Sequence, residues 1–494
     1  MIMLKVLSFF CLIAIVSGLS PHPGALIRLS TGAVDNAVKS IVDVLNQHIQ
    51  EVQIPDQSKK EHHIHLEARN IKLEKFNIDR NRVGVTTNDN TVSFSAQHIE
   101  FKVSFHYQVH KKHLFSKSGN CAISVDDGHV AASLRLTANN GHPVISLLSK
   151  DAGMGGLHYK CHGDLFDHII NWLSGVIKPE IKKAIDTAIE KAISEAFPSI
   201  NQKLAQIPTD RPLSNFLSAF HVDYSIFGQP STTPQMTRVS VLSQFYLDGH
   251  KDDNPPSVFP SPGAFPDGPP EGDFCLNIDS NLVFKSAAYA YLKSDKSTFH
   301  LDKPIFGKLP ESKRKFFDCD CSGALCLVTL LPSLKSTCKP GETVDIHGTV
   351  KLGGDIKADD RGLIISAEGD STFQLGTEPD KGITLLSLNA SVGVLLEKSV
   401  HIQNWSLFGH VSVFQTHLSA STPAGAIAPA IVEKIWEFAL ADLAQLVINE
   451  ALGGGIPLPP LKFITFDKVG IKFTGPLVQV CSNVNIDFNK LIHI

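Results

Sequence analysis

Residues 21–55, PHPGALIRLSTGAVDNAVKSIVDVLNQHIQEVQIP, decide how the chain is read. Val34, Ala37, Val38, Ile41, Val42, Leu45, Ile49 and Val52 recur at the i, i+3, i+4, i+7 spacing of one helical face. Ser30 or Thr31 can cap the unpaired amides of the first turn, and Pro55 stops the helix after about Glu51. Asp35, Lys39, Asp43 and Gln47 fall on the opposite face. Such a helix draws its stability from packing its stripe on a large apolar surface.

The segment follows Met1–Ser20, which reads as a secretory signal: Lys5, an apolar run from Val6 to Val16, then the small residues Ser17 and Gly18. The run is too short to span a bilayer, and no later stretch reaches about 18 uninterrupted apolar residues. A secreted, extracellular protein is expected. At 494 residues two domains are the default. A hydrophobic content of 43% and a charged content of 19% are those of a folded protein. A net charge of −4 argues against a nucleic-acid binder, which should be basic. Cys11 leaves with the signal, and eight cysteines remain, an even number that an oxidising compartment turns into disulfides. Cys319, Cys321, Cys326 and Cys338 lack standard zinc-finger spacing. Asn389-Ala-Ser391 and Asn404-Trp-Ser406 are N-glycosylation sequons.

Downstream the period changes to two. Alternation from His62 to Leu136 predicts an antiparallel meander with one apolar face. Its turns are expected at Asn88-Asp89-Asn90, Ser118-Gly119-Asn120 and Asn139-Asn140-Gly141. Helical periodicity returns from Asp164 to Gln206, with a kink or restart at Pro179. Residues 227–270 are rich in proline and read as a linker whose one strand-like run, Arg238 to Leu247, should pair with another strand. The second half then repeats the order: a short helix at 281–292, alternating strands through 344–418, an amphipathic helix at 426–452, and closing strands from 462 to 487. Helix, strands, helix occurring twice suggests a pseudo-symmetric pair.

Several motifs in this frame resemble the bactericidal/permeability-increasing protein and lipopolysaccharide-binding protein family, whose wider relatives include lipid transfer proteins. They are Pro23-Gly24-Ala25-Leu26-Ile27-Arg28 with its helix and Ile54-Pro55-Asp56, then Val222-Asp223-Tyr224-Ser225, Asn254-Pro255-Pro256 and Gly455-Ile456-Pro457-Leu458-Pro459. The resemblance implies an α+β fold: an elongated boomerang of two pseudo-symmetric curled antiparallel β-barrels, each with long amphipathic helices, joined by a central β-sheet. The expected division is 1–20 signal, 21–226 first barrel domain, 227–270 linker contributing to the central sheet, and 271–494 second barrel domain. Relatives join a strand-side cysteine to one in the long helix of the first half. Residues 164–206 carry no cysteine here, so Cys121 is expected to pair with Cys161. The six cysteines of the second half allow 15 connectivities.

The implied activity is non-catalytic binding of phospholipid in apolar pockets, with no cofactor and a monomeric state. Expected lining residues are Val38, Ile41, Val42, Leu45 and Ile49 from the first helix and Phe166, Ile170, Leu173 and Ile177 from the later one. Each buried methylene contributes roughly 0.8 kcal/mol, and a membrane offers nearly the same, which suits reversible exchange. A basic tip of Lys59, Lys60, His110, Lys111, Lys112, His113 and Lys117 is expected to meet lipopolysaccharide or an anionic membrane surface. Of 22 histidines, 16 precede residue 251, so acidification should strengthen that contact. His63 and His65 share a strand face without a carboxylate or thiol partner, and no metal is expected there. The chain has no G-x-S-x-G, H-E-x-x-H or P-loop motif. The rival reading is a secreted interaction protein with an ordinary core, binding a microbial surface or partner protein without a lipid pocket.

Overall fold

The computed structural model of the chain describes residues 23–50, 54–61, 63–111, 114–153, 157–162, 197–213, 218–251, 265–294, 297–358, 361–376, 382–397, 401–403, 406–452, 455–458 and 463–487, with isolated positions between 179 and 195. The signal segment 1–20 lies outside them.

Strand β1 (Ala25–Ser30) runs directly into helix α1 (Thr31–Gln50). Ser30 makes the cap: its Oγ accepts from the Ala33 amide at 3.0 Å and donates to Asp273 Oδ1 at 3.0 Å. The apolar stripe is buried at Ala33, Val34, Val38, Ile41 and Val42. Asn46 pins the helix sideways, its amide and carbonyl bonding both backbone groups of Ile78 at 3.0 and 2.9 Å.

The meander follows as β2 (Gln57–Glu61), β3 (Ile64–Asn77), β4 (Val83–Asn88), β5 (Thr91–Lys111), β6 (Phe115–Asn139), β7 (His142–Gly153) and β8 (Leu157–His162). The sheet order is β2-β3-β5-β6-β7, antiparallel throughout, with β4 on β5 and β8 on β6. It stays open from β2 to β7 among the described pairings. Register shifts along β3–β5 and β5–β6 bend these long strands, as bulges do. Two of the expected turns form, at 89–90 and at Asn140-Gly141, where both residues take positive φ. The third does not: β6 passes unbroken through Ser118-Gly119-Asn120. Gly119 lies opposite Tyr107, and a Cβ there would strike the Tyr107 ring and the His162 carbonyl. Glycine at 119 serves close approach within a strand, not a turn. Next to it, Cys121 and Cys161 face each other on β6 and β8 and are disulfide-bonded.

The middle of the chain adds β9 (Asp210–Pro212), β10 (Phe220–Asp223), β11 (Ser231–Thr232), β12 (Met236–Val241) and β13 (Gln244–Leu247), then β14 (Phe274–Asp279) and helix α2 (Ser280–Lys293). The second half comprises β15 (Thr298–Leu301), β16 (Asp345–Ala358), β17 (Gly362–Leu375), β18 (Ile383–Glu397), β19 (His401–Gln403), β20 (Ser406–Phe408), β21 (Val411–Thr422), β22 (Gly425–Ala426), β23 (Ile456–Pro457), β24 (Ile464–Thr474) and β25 (Leu477–Ile486). Its main sheet has the order β15-β16-β17-β18-β21-β22. Helix α3 (Pro429–Ile435), a π turn at Trp436–Leu440 and α4 (Ala441–Leu452) form the expected amphipathic helix, with Pro429 in its first turn. Its buried face, Val432, Ile435, Trp436, Ala439 and Leu443, shares a core with Phe306, Phe316 and Phe317. Those phenylalanines come from a stretch of short helical turns between residues 303 and 336, for which the sequence carries no long period. Cys319–Cys338 and Cys321–Cys326 close that stretch.

A third sheet, β11-β12-β1-β14-β25-β24, collects strands from both ends of the chain and from the proline-rich middle. The strand-like run at 238–247 finds its partners here and in the small β13-β10-β9 sheet. One face is apolar: Ile27, Val239, Leu276 and Val480 align across it. The other face holds Arg28, opposite Cys275 of the Cys275–Cys481 disulfide, and the directly paired Asn277 and Gln479. Arg28 is 4% exposed; it donates to Gly268 O at 2.6 Å and to Asn277 Oδ1 at 3.1 Å, while Asn277 donates to Leu26 O and accepts from Gln479. Burial, then the neighbouring Arg238 charge, lowers the Arg28 pKa from its ordinary value. Arg28→Ala removes the donor that Gly268 O and Asn277 Oδ1 share; urea unfolding should show a loss of about 1–3 kcal/mol.

Candidate functional site

The apolar face of the central sheet does not close against α1. Between them lies a cavity of about 330 Å³, within the range of about 300–1,000 Å³ usual for small-molecule sites. Val34, Ala37, Val38 and Ile41 of α1 form one wall. Ile27 and Leu29 of β1, with Val239, Leu276 and Val484, form the facing wall. Leu134 and Ile145 from the β6–β7 hairpin, and Leu204 and Ile207 from the end of the helical stretch 197–205, complete the enclosure.

Few polar groups reach the lining. Thr232 and Thr237 satisfy one another at 3.2 Å. Burial pushes the Tyr224 hydroxyl well above its ordinary pKa, so it stays neutral. His142 is different: it lines the cavity, and its buried Nδ1 has no hydrogen-bond partner. The site can therefore accept a hydrocarbon chain with no polar demand along most of its length and one unsatisfied imidazole nitrogen at one place. Among the described residues, no acid–base pair or activated nucleophile lines it.

The expected lining residues are placed as follows. Val38 and Ile41 line the cavity, whereas Val42 is fully buried in the core of the first half. The side chains of Leu45 and Ile49 lie outside the described residues, as do Phe166, Ile170, Leu173 and Ile177. The central-sheet wall escaped the sequence reading. Its signal was present as period-two spacing at Ile27/Leu29, Thr237/Val239/Val241 and Val484/Ile486, but segments this short and this scattered declare a shared face only once paired.

At the far end of the first sheet, register brings the basic residues together. Lys60 pairs with His65, His65 with His110, and Lys111 with Phe115; Lys59 and Lys117 lie one or two positions further along. Leu114, just before β6, is 68% exposed. Lys112 and His113 lie outside the described residues. Asn389 is exposed on β18; Asn404 is outside the described set.

Two long antiparallel sheets, one in each half, and a central sheet built from both ends and the middle of the chain make up the fold. Residues 33–206 match the N-terminal domain and residues 214–486 the C-terminal domain of the LBP / BPI / CETP family, to which the chain belongs. Bactericidal permeability-increasing protein of Rattus norvegicus is 21% identical over 453 residues, 88% of each chain. The BPI fold-containing family C protein of Homo sapiens is 22% identical over 288 residues, 55% of this chain and 53% of that one. The crystal structure of lipopolysaccharide binding protein superposes with a TM-score of 0.63 at 15% identity, covering 94% of this chain and 99% of that one, and so shares the fold. No helix among the described residues is long and apolar enough to cross a membrane.

Filling the cavity tests its accessibility. Ala37→Trp should weaken binding of an apolar fluorescent probe at least about tenfold, the equivalent of about two methylenes denied burial. Lys39→Ala, on the outer face of the same helix, should leave the titration unchanged.

Proposed function

We propose that this chain is a secreted, monomeric lipid-binding protein that holds phospholipid acyl chains in the cavity under α1 and approaches lipopolysaccharide or anionic membrane surfaces with its Lys/His tip. The cavity carries this reading: an apolar space of about 330 Å³ beside a helix whose outer face is charged. Dry cores leave few voids larger than a water molecule, so a space of this size calls for an occupant. His142 Nδ1, with the neutral Tyr224 hydroxyl nearby in the lining, would serve the polar end of the lipid. Membership of the LBP / BPI / CETP family supports the same reading, as does the fold shared with lipopolysaccharide binding protein. Four disulfides fit an oxidising, extracellular compartment.

Organic extraction of the purified protein, followed by mass spectrometry, should recover phospholipid in near-stoichiometric amount. Protein that yields none, and that takes up no acyl-labelled phospholipid from vesicles, would instead be the interaction protein without a lipid site.

The tip has a separate test. Lys59→Glu combined with Lys60→Glu and Lys111→Glu should reduce binding to anionic vesicles by at least about two orders of magnitude, since each surface lysine is worth about 1 kcal/mol near such a membrane and tenfold is about 1.4 kcal/mol. Added salt should erase the difference. The unaltered protein should bind these vesicles more tightly at about pH 5.5 than at about pH 7.5, because protonation adds positive charge to histidine-rich surfaces. Equal affinity at both pH values would remove histidine from the contact.

A further inference from the structure

The second half gathers three metal-competent side chains far from the cavity in sequence. Strand β15 pairs with β16 so that His300 stands directly opposite His347. Phe299 and Leu301 pack on the second core, to which Ile346 also belongs. Period-two alternation therefore sends His300, Asp345 and His347 to the other face together. The two imidazoles stack with centroids 4.1 Å apart and planes within 10°. His300 Nε2 lies 3.3 Å from Asp345 Oδ2. One ligand atom from each of the three lies within 4.8 Å of those of the other two.

The environment favours a cation ligand set over a simple ring stack. His347 Nε2 is buried without a hydrogen-bond partner, a condition that a folded protein rarely leaves unexplained. The Asp345 side chain is 9% exposed and that of His300 is 35% exposed. The group thus has a buried anionic floor and one edge open to solvent.

We propose that His300, Asp345 and His347 bind one Zn²⁺-class dication, tying the edge strand β15 to β16. Two imidazoles and a carboxylate suit zinc and its borderline neighbours, whereas calcium and magnesium demand an oxygen shell. Ligand distances of about 2.0–2.2 Å require the three atoms to draw closer by roughly an ångström, a motion open to the exposed His300 ring. Solvent at that edge supplies the fourth ligand. β15 has four residues and a single neighbouring strand, and it leads into the disulfide-closed stretch that carries Phe306, Phe316 and Phe317. A cross-strand ion would fix the start of that stretch.

The full-length secreted chain, stripped with a chelator, should bind one equivalent of Zn²⁺ in competition with a chromophoric chelator, and Co²⁺ should give visible d–d bands of a tetrahedral site. His300→Ala changes an exposed residue at a sheet edge and should fold; Asp345→Asn keeps the shape of the buried one. Each should weaken the tight equivalent at least about tenfold. Zn²⁺ should raise the melting temperature of the unaltered protein and not that of His300→Ala. His63→Ala with His65→Ala should leave the titration unchanged. The proposal is overturned if the unaltered protein binds no tight equivalent, if His300→Ala binds Zn²⁺ as the unaltered protein does, or if the tight equivalent vanishes with His63 and His65 instead.

Discussion

Everything in this molecule depends on the pairing of β1 with β14, which places residues 25–30 beside residues 274–279. Local forces do not supply that contact. A separation of about 250 residues carries a large loop-closure entropy, although its cost grows only with the logarithm of length. The compensation is visible on both faces of the resulting sheet. On one, Arg28, Asn277 and Gln479 join three strands through buried hydrogen bonds. On the other, the aliphatic row Ile27, Leu276, Val480 is withdrawn from water. The Cys275–Cys481 disulfide locks the adjacent pair, β14 and β25, closing a loop with a sequence separation of 206.

The apolar face then has two neighbours. Near β24 and β17, Val478 and Val480 pack with Leu363, Ile365 and Leu396 of the second half. Toward β12 and β1 the neighbour is α1, whose wall residues Ala37 and Val38 are small. Small side chains facing aliphatic strand residues leave a gap that no single wall can fill. The cavity is thus a consequence of where the first helix leaves β1: Ser30 ends the strand and caps the helix, and the stripe at Val34, Ala37, Val38 and Ile41 is aimed back over the sheet it has just left.

This geometry explains which features were legible in the sequence. The α1 stripe, the meander and the helix at 429–452 announce themselves by periods sustained over three turns or more, or over several strands. Cys121 and Cys161 were readable once the family resemblance was recognised. Gly119 was misread because a glycine flanked by serine and asparagine looks like a turn, while the reason for it, the Tyr107 ring on the neighbouring strand, is non-local. The segment 303–336 was silent for a related reason: its helices of about one turn have no period, and their stability comes from two disulfides and the stacked Phe306–Phe317 pair, 4.2 Å apart. The β1 wall and the His300–Asp345–His347 cluster share that character. Each is assembled by register, and register between distant strands is what a linear pattern does not contain.

The energetics of the cavity set what it can do. An acyl chain entering it gains roughly 0.8 kcal/mol per methylene relative to water, but nearly nothing relative to a bilayer. A purely hydrocarbon-lined space would therefore exchange chains with a membrane at close to zero net free energy and have little preference among them. Discrimination falls to the few polar lining groups, where an unmade hydrogen bond costs about 1–3 kcal/mol and a made one recovers it. Among the described lining residues, His142 is such a group: its Nδ1 is buried and unpaired, on the strand that begins right after the Asn140-Gly141 turn. The Thr232 and Thr237 hydroxyls are already hydrogen-bonded to each other. On the proposed reading, affinity would follow the length of chain buried, and selectivity what stands opposite one imidazole nitrogen.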